Sequence, residues 1–281
     1  MKLSFPMDTK EISTHIYNRI LEEKETLSVR YRNTVDGIGN FYIDAVLPED
    51  LALEISRVFP KKEAMNLKKS LREYKHVAAQ MDQYHPLLEK VIYAFQDDRI
   101  VQLIGEICGT DQLEPDANLY AGGLSLMAKD NFLNPHLDNS HDKDRNKWRV
   151  FNLLYYVTPD WPDDGGGHLE VWPNGLENDP VTIHSRFNRL AVMATHQKSW
   201  HSVSPVVIDG ERCCVSNYYF AETPLRKEDR FHVTSFRARP GDKLKDTVLK
   251  LDASIRMGIR KVFKKGIKEN PHVYKKGEKN E

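Results

Sequence analysis

Apolar residues recur at helical spacing over residues 8 to about 30, where Ile12, Ile16, Ile20 and Leu21 form one stripe. Asp8 stands as its N-cap, and Glu11 completes a capping box. Asn40–Val46 is a short β-rich run. Leu47-Pro-Glu-Asp-Leu51 opens a further helix, with Pro48 in its first turn and early acids favoured by the helix dipole; Phe59-Pro60 ends it. Residues 62–83 are lysine-rich and read as a loop leading into an exposed helix. Pro86 to Gly109 reads as one or two helices built on Leu87, Leu88, Val91, Ile92, Phe95 and Ile100. The first hundred residues are therefore expected to be mainly helical.

The pattern changes after Asp116. Ala117–Ala121, Gly123–Ala128, Arg149–Val157, Gly167–Trp172, Asn188–Ala194 and Cys213–Phe220 read as short strands rich in aromatic and β-branched residues, separated by Gly, Pro, Asn and Asp turns. Such strand density suits a sandwich or a barrel-like jelly roll, so the chain is read as α+β. From Asp242 the spacing of Leu244, Val248, Leu251, Ile255, Ile259 and Val262 is again helical, with a basic flank of Arg256, Arg260, Lys261, Lys264, Lys265 and Lys268. The segment Lys275–Glu281 reads as frayed. The expected organisation is a mainly helical region over 1–115 packed on a β core over 116–240, then a basic helix and tail over 241–281, all in one structural domain.

A chain of 281 residues can bury one sizeable core. Its 41 basic and 41 acidic residues balance, so no bulk charge points to a nucleic acid. Three cysteines, two of them the adjacent Cys213 and Cys214, imply a reducing compartment; the vicinal pair is read as one buried and one exposed strand residue. The opening residues have no apolar leader core and no run is long enough to span a membrane, which implies a cytoplasmic protein.

Chemistry concentrates in Asn134–Asp142 and Ser199–Val203. On a strand, His136 and Asp138 project to the same face. His201, about sixty residues on, is far enough for the chain to return alongside. Two imidazoles and a carboxylate on one face form the facial triad of non-haem iron(II), which leaves coordination positions open. The bland reading, a polar loop pair in which His136 and Asp138 satisfy each other, loses weight once His201 and Arg212 are counted. His196 rivals His201 as a ligand but lacks the Trp-His-Ser-Val-Ser-Pro context; His141, His168, His184 and His232 are read as surface or strand histidines.

On these motifs the chain resembles the iron(II)- and 2-oxoglutarate-dependent dioxygenases, especially their prolyl-4-hydroxylase-like branch. The resemblance runs from Phe41 to Glu222 and is most specific from Tyr120 to Tyr219. It also takes in Arg149–Trp172, a core strand, an acidic turn and the Gly166-Gly167 pair before the next strand. It implies a double-stranded β-helix (jelly roll, cupin-like) buttressed by the N-terminal helices. It implies iron on His136, Asp138 and His201, and the remote carboxylate of 2-oxoglutarate on Arg212, eleven residues after the distal histidine. Tyr120 and Asn152 are placed beside the cosubstrate, Asn152 where the family often has Thr; Asn139 and Arg149, by their closeness in sequence to the metal motif, are expected beside the prime substrate. With Asp138 present the halide position of the family's halogenases is taken, so hydroxylation with Fe(II), 2-oxoglutarate and O2 is the expected chemistry.

A prolyl residue, a free amino acid, a natural-product intermediate or a lipid-like molecule all fit as substrate, with residues 60–83 and 131–147 setting the choice. Two other classes stand beside this reading: a jelly-roll binding module without turnover, and a cupin-like metalloprotein that does not use 2-oxoglutarate. The basic C-terminal helix could meet an acidic partner or a membrane surface, although such a stripe more commonly packs on its own domain and solvates its lysines.

Overall fold

The computed structural model describes residues 7–262 together with residues 273 and 274. Expectations placed on residues 1–6, on the side chains of the basic flank from Arg260 onward, and on Lys275–Glu281 lie outside the described residues. Helix α1 (Thr9–Glu22) starts at the expected capping box, in which Asp8 accepts from the Glu11 amide and Glu11 accepts from the Asp8 amide, both at 2.8 Å. The helix stops at Glu23 and resumes as α2 (Lys24–Arg32), so the expected single helix is two. Ile12, Ile16 and Ile20 are buried, whereas Leu21 points to solvent. After β1 (Asn40–Ile43), α3 (Glu49–Arg57) begins one residue beyond Pro48, which takes the N-cap position and not the first turn.

Residues 62–83 depart from expectation. Instead of a loop and an exposed α-helix they form a hairpin, β2 (Asn66–Lys69) and β3 (Glu73–Ala78), flanked by single 3₁₀ turns. Beyond it, α4 (Pro86–Ala94) and α5 (Asp98–Cys108) divide the next helical stretch, with Pro86 opening the first and Gly109, at φ 65°, closing the second. Their apolar faces join α1, α2 and the backs of the central strands in one cluster that includes Ile16, Leu88, Ile104, Phe151 and Tyr155.

The remaining strands are β4 (Glu114–Pro115), β5 (Gly123–Ala128), β6 (Phe132–Leu137), β7 (Trp148–Tyr156), β8 (Leu169–Val171), β9 (Val181–Ile183), β10 (Arg189–Ala194), β11 (His201–Val203), β12 (Glu211–Ala221) and β13 (Ser235–Phe236). Ala117–Ala121 is not a strand. The buried Asp116 carboxylate accepts from the amides of Tyr120, Ala121 and Gly122 at 2.9, 2.8 and 3.1 Å, which folds that segment into a turn. Strand order is β1-β10-β7-β12-β5-β3-β6-β11-β8-β9, antiparallel throughout. The unforeseen β3 joins the two halves, pairing with β5 through His76–Ala78 and with β6 through Glu73 and Tyr74. The sheet thus curls into a nearly closed barrel, the jelly-roll double-stranded β-helix, with one outer face covered by helices. Gly166 and Gly167 turn at φ 72° and 70°, and a Cβ on Gly166 would run into the Pro205 carbonyl.

Helix α6 (Lys243–Val262) follows β13. Much of its described apolar stripe faces solvent, with Leu244, Val248, Leu251 and Ile255 45–80% exposed, while Ile259 is half-buried on the outer cavity. The inner face is instead held by Leu249, which is buried, and by ion pairs, chiefly a forked Arg237–Asp246 contact at 2.6 and 2.9 Å. Cys213 and Cys214 are both buried, contrary to the expected alternation, and burial pushes the Cys213 thiol up to about 12.

Candidate metal centre

The antiparallel pairing of β6 with β11 places His136 directly opposite His201, with ring centroids 4.0 Å apart. Each ring nitrogen Nδ1 lies near the carbonyl oxygen two residues earlier, Asn134 at 3.0 Å and Ser199 at 2.9 Å. A carbonyl only accepts, so both Nδ1 atoms carry the hydrogen, which turns both Nε2 atoms toward Asp138. Phe236 of β13 stacks on His136 at 5.1 Å and fixes the ring plane.

Asp138 lies one residue beyond the end of β6, not on the strand as the same-face reading assumed, yet its carboxylate still meets both rings. Oδ1 is 3.6 Å from His136 Nε2 and Oδ2 is 3.7 Å from His201 Nε2. Among the described residues these three form a group able to hold a metal ion, their ligand atoms within 4.8 Å of one another. Burial, with His201 alongside, pushes the His136 imidazole down to about 3. Burial works to raise the Asp138 carboxyl, but its neighbours His201, Arg149 and His136 hold it below the usual carboxylate range. A neutral His136 and an ionised carboxylate are the states a divalent cation requires. The buried Asp138 Oδ2 also has no hydrogen-bond partner, an orphan that a cation would satisfy.

A cavity of about 120 Å³ opens from the triad into the barrel, lined among others by Arg212, Asn152, Tyr156 and Ser216. Arg212, on β12, is buried with its guanidinium 5.5 Å from the centre of the Tyr156 ring and its Nη2 2.7 Å from Met127 Sδ. No carboxylate pairs with it among the described residues, and its Nε and the Asn152 Oδ1 are buried without partners. A buried guanidinium facing a small cavity inside the barrel fits an anionic cosubstrate. Tyr120 does not line this inner space. It stands with Asn139 and Arg149 on a wider outer cavity of about 530 Å³, which shares Asp138 and Tyr218 with the inner one.

Sequence reasoning missed several lining residues. Tyr156 and Ser216 face the inner cavity, Lys75 and Tyr218 face both, and His141 and His232, set aside as surface or strand histidines, line the outer one. The alternation of β7 was a usable signal for Tyr156, which lies four residues after Asn152 on the same strand. His196 is buried but does not belong to the metal-capable group, and its Nδ1 accepts from the Lys198 amide at 3.1 Å.

Residues 122–220 match the family model described as the 2OG-Fe(II) oxygenase superfamily. Over residues 122–220 the chain is thus similar to a 2OG-Fe(II) oxygenase domain. Enzymes of this superfamily use Fe(II), 2-oxoglutarate and O2, and the His-Asp-His group lies inside the matched segment. Among solved structures, a prolyl hydroxylase from Trichoplax adhaerens in complex with a hypoxia-inducible-factor peptide fragment aligns at 21% identity and TM-score 0.50, over 72% of this chain and 92% of that one. A prolyl-4-hydroxylase from Pseudomonas putida aligns at 18% and 0.51, over 70% and 100%. A prolyl 4-hydroxylase from Phytophthora capsici aligns at 18% and 0.55, over 94% and 83%. At these identities the likeness is one of fold. No curated protein sequence matches the chain. No described helix is long and apolar enough to cross a membrane.

Proposed function

We propose that this oxygenase hydroxylates an unactivated C–H bond of a small-molecule or peptidyl substrate, with 2-oxoglutarate decarboxylated to succinate and CO2. The observation that carries the reading is the sharing of one small buried cavity by the His136–Asp138–His201 group and an Arg212 that has no carboxylate partner. A binding module or a cupin-like metalloprotein has no use for a buried guanidinium beside its metal.

In this reading Nε2 of His136, Nε2 of His201 and the Asp138 carboxylate hold Fe(II), and their backbone hydrogen bonds fix the rings before the metal arrives. Arg212 takes the far carboxylate of 2-oxoglutarate by a forked contact, its guanidinium set by the Tyr156 ring and Met127. Asn152 offers its amide to the same ligand. Bound iron, with 2-oxoglutarate and O2, supplies the oxidation, one oxygen atom entering the product hydroxyl and the other succinate. The outer cavity receives the substrate beside Asp138, and a bound substrate there would cover the inner cavity and keep bulk water from the reacting atoms.

The test is an anaerobic titration with Fe(II) and then 2-oxoglutarate, read by the visible metal-to-ligand charge-transfer band. The band is expected in the wild type and absent in His201→Ala. Iron binding without a band in the wild type would remove the oxygenase reading and bring forward a metalloprotein that does not use 2-oxoglutarate.

A further inference from the structure

The wall of the outer cavity carries more positive charge than the proposed chemistry needs. Its cations include Lys68, Lys75, Arg149 and Arg256, and its carboxylates other than Asp138 are Glu73 and Asp142. Those two acids are engaged locally. Glu73 pairs with Lys75 at 3.1 Å, and Asp142 Oδ1 accepts from the amides of Asn146 and Lys147 at 2.7 and 3.1 Å, closing its own turn. Arg256 is paired off the cavity, with Asp252 at 2.8 Å.

Arg149 is different. It is 5% exposed, its guanidinium lies over the Tyr218 ring at 4.4 Å, and its Nε has no hydrogen-bond partner. Its nearest carboxylate is Asp138, 3.6 Å away and beyond hydrogen-bonding distance, in the group proposed to hold the metal. Once that carboxylate serves a cation, nothing on the wall balances Arg149. Lys75 reaches the same space from β3, lining both cavities beside Asp138. A neutral substrate would leave the desolvated Arg149 guanidinium unbalanced, whereas a carboxylate or phosphate would satisfy it and lie within the field of Lys75, which also pairs with Glu73.

We infer that the prime substrate carries an anionic group, a carboxylate or a phosphate, that docks on Arg149 and Lys75 next to the metal group. The inference rests on the oxygenase reading above and narrows its substrate class. Loading the protein anaerobically with Fe(II) and 2-oxoglutarate first records the charge-transfer band, which tests that reading alone and fills the Arg212 site. Calorimetric titration of the same sample with N-acetyl-L-proline, N-acetyl-L-prolinamide and methyl phosphate then tests the inference, since heat of binding needs no band.

At least one anion is expected to bind tenfold or more tighter than the amide, and this preference should vanish in Arg149→Gln and fall in Lys75→Met. Tighter binding of the acetylated amino acid identifies a carboxylate, and tighter binding of methyl phosphate a phosphate. An amide that matches both anions, no saturable binding by either anion, or a preference intact in both variants would each overturn the inference.

Discussion

Arg212 is the residue on which the proposed cosubstrate anchor rests. An arginine differs from a lysine in that burial is not relieved by loss of a proton, so it is relieved by a partner. Arg212 is buried among Met127, Tyr156 and the β12 backbone with its Nε unpartnered, which is costly in the free protein and favourable once a carboxylate arrives. Arg212→Ala should therefore leave iron binding intact and weaken 2-oxoglutarate by roughly 2–5 kcal/mol, the usual loss for a buried charge pair. The readout is the 2-oxoglutarate concentration dependence of the charge-transfer band, and an unchanged affinity would remove Arg212 from the anchor role. Lysine at this position should recover only part of the loss, because it meets a carboxylate as a point charge. The metal group and Arg212 could be picked out from the chain because their spacing is local to two short motifs. Lys75, Tyr156 and Tyr218 could not, since only the curl of the sheet brings β3, β7 and β12 to the same cavity.

At the scale of elements, apolar alternation marked the central strands β5, β7, β10 and β12, whose residues are mostly buried on one or both faces. It failed for β2, which is exposed along its whole length and rich in lysine, and so for the hairpin that links the two halves of the barrel. It failed for Ala117–Ala121 because one carboxylate, Asp116, captures three amides that a strand would have paired. Helix α6 inverted the usual rule, for its position is set by charge and not by its apolar stripe. The Asp246 carboxylate accepts from Arg237 and from the Ala238 amide, and the Arg237 hydrogen bonds hold its pKa below the ordinary value although burial opposes them. A carboxylate with a depressed folded pKa stabilises above its unfolded pKa of about 4 and loses that contribution as pH falls through the folded value. Asp246→Asn should accordingly raise amide exchange in α6 roughly tenfold at neutral pH, equivalent to about 1.4 kcal/mol of local stability. The difference between wild type and variant should hold steady above about pH 5 and shrink below about pH 4. Equal exchange at neutral pH would show that Leu249 alone seats the helix.

Across the whole molecule, the cavity joins strands from both halves of the barrel: His136 on β6 and His201 on β11 on one side, Asn152 and Tyr156 on β7 and Arg212 on β12 on the other. Ligands that bridge them act on the stability of the entire fold. Buried atoms without partners, among them Asp138 Oδ2 and Arg212 Nε, each cost about 1–3 kcal/mol while unsatisfied. Metal and cosubstrate that bind only the folded state should stabilise by about 2.7 kcal/mol for each ligand held at a hundredfold excess over its Kd. Thermal unfolding under anaerobic conditions should therefore rise by several degrees with Fe(II), and again when 2-oxoglutarate is added to the iron form. 2-Oxoglutarate without metal should give a smaller shift, because only its far carboxylate finds a partner. In Arg212→Ala the iron increment should persist and the 2-oxoglutarate increment should shrink. If the two increments were independent of each other in the wild type, the metal group and Arg212 would not be serving one bound molecule, and the single cavity that joins them would need another explanation.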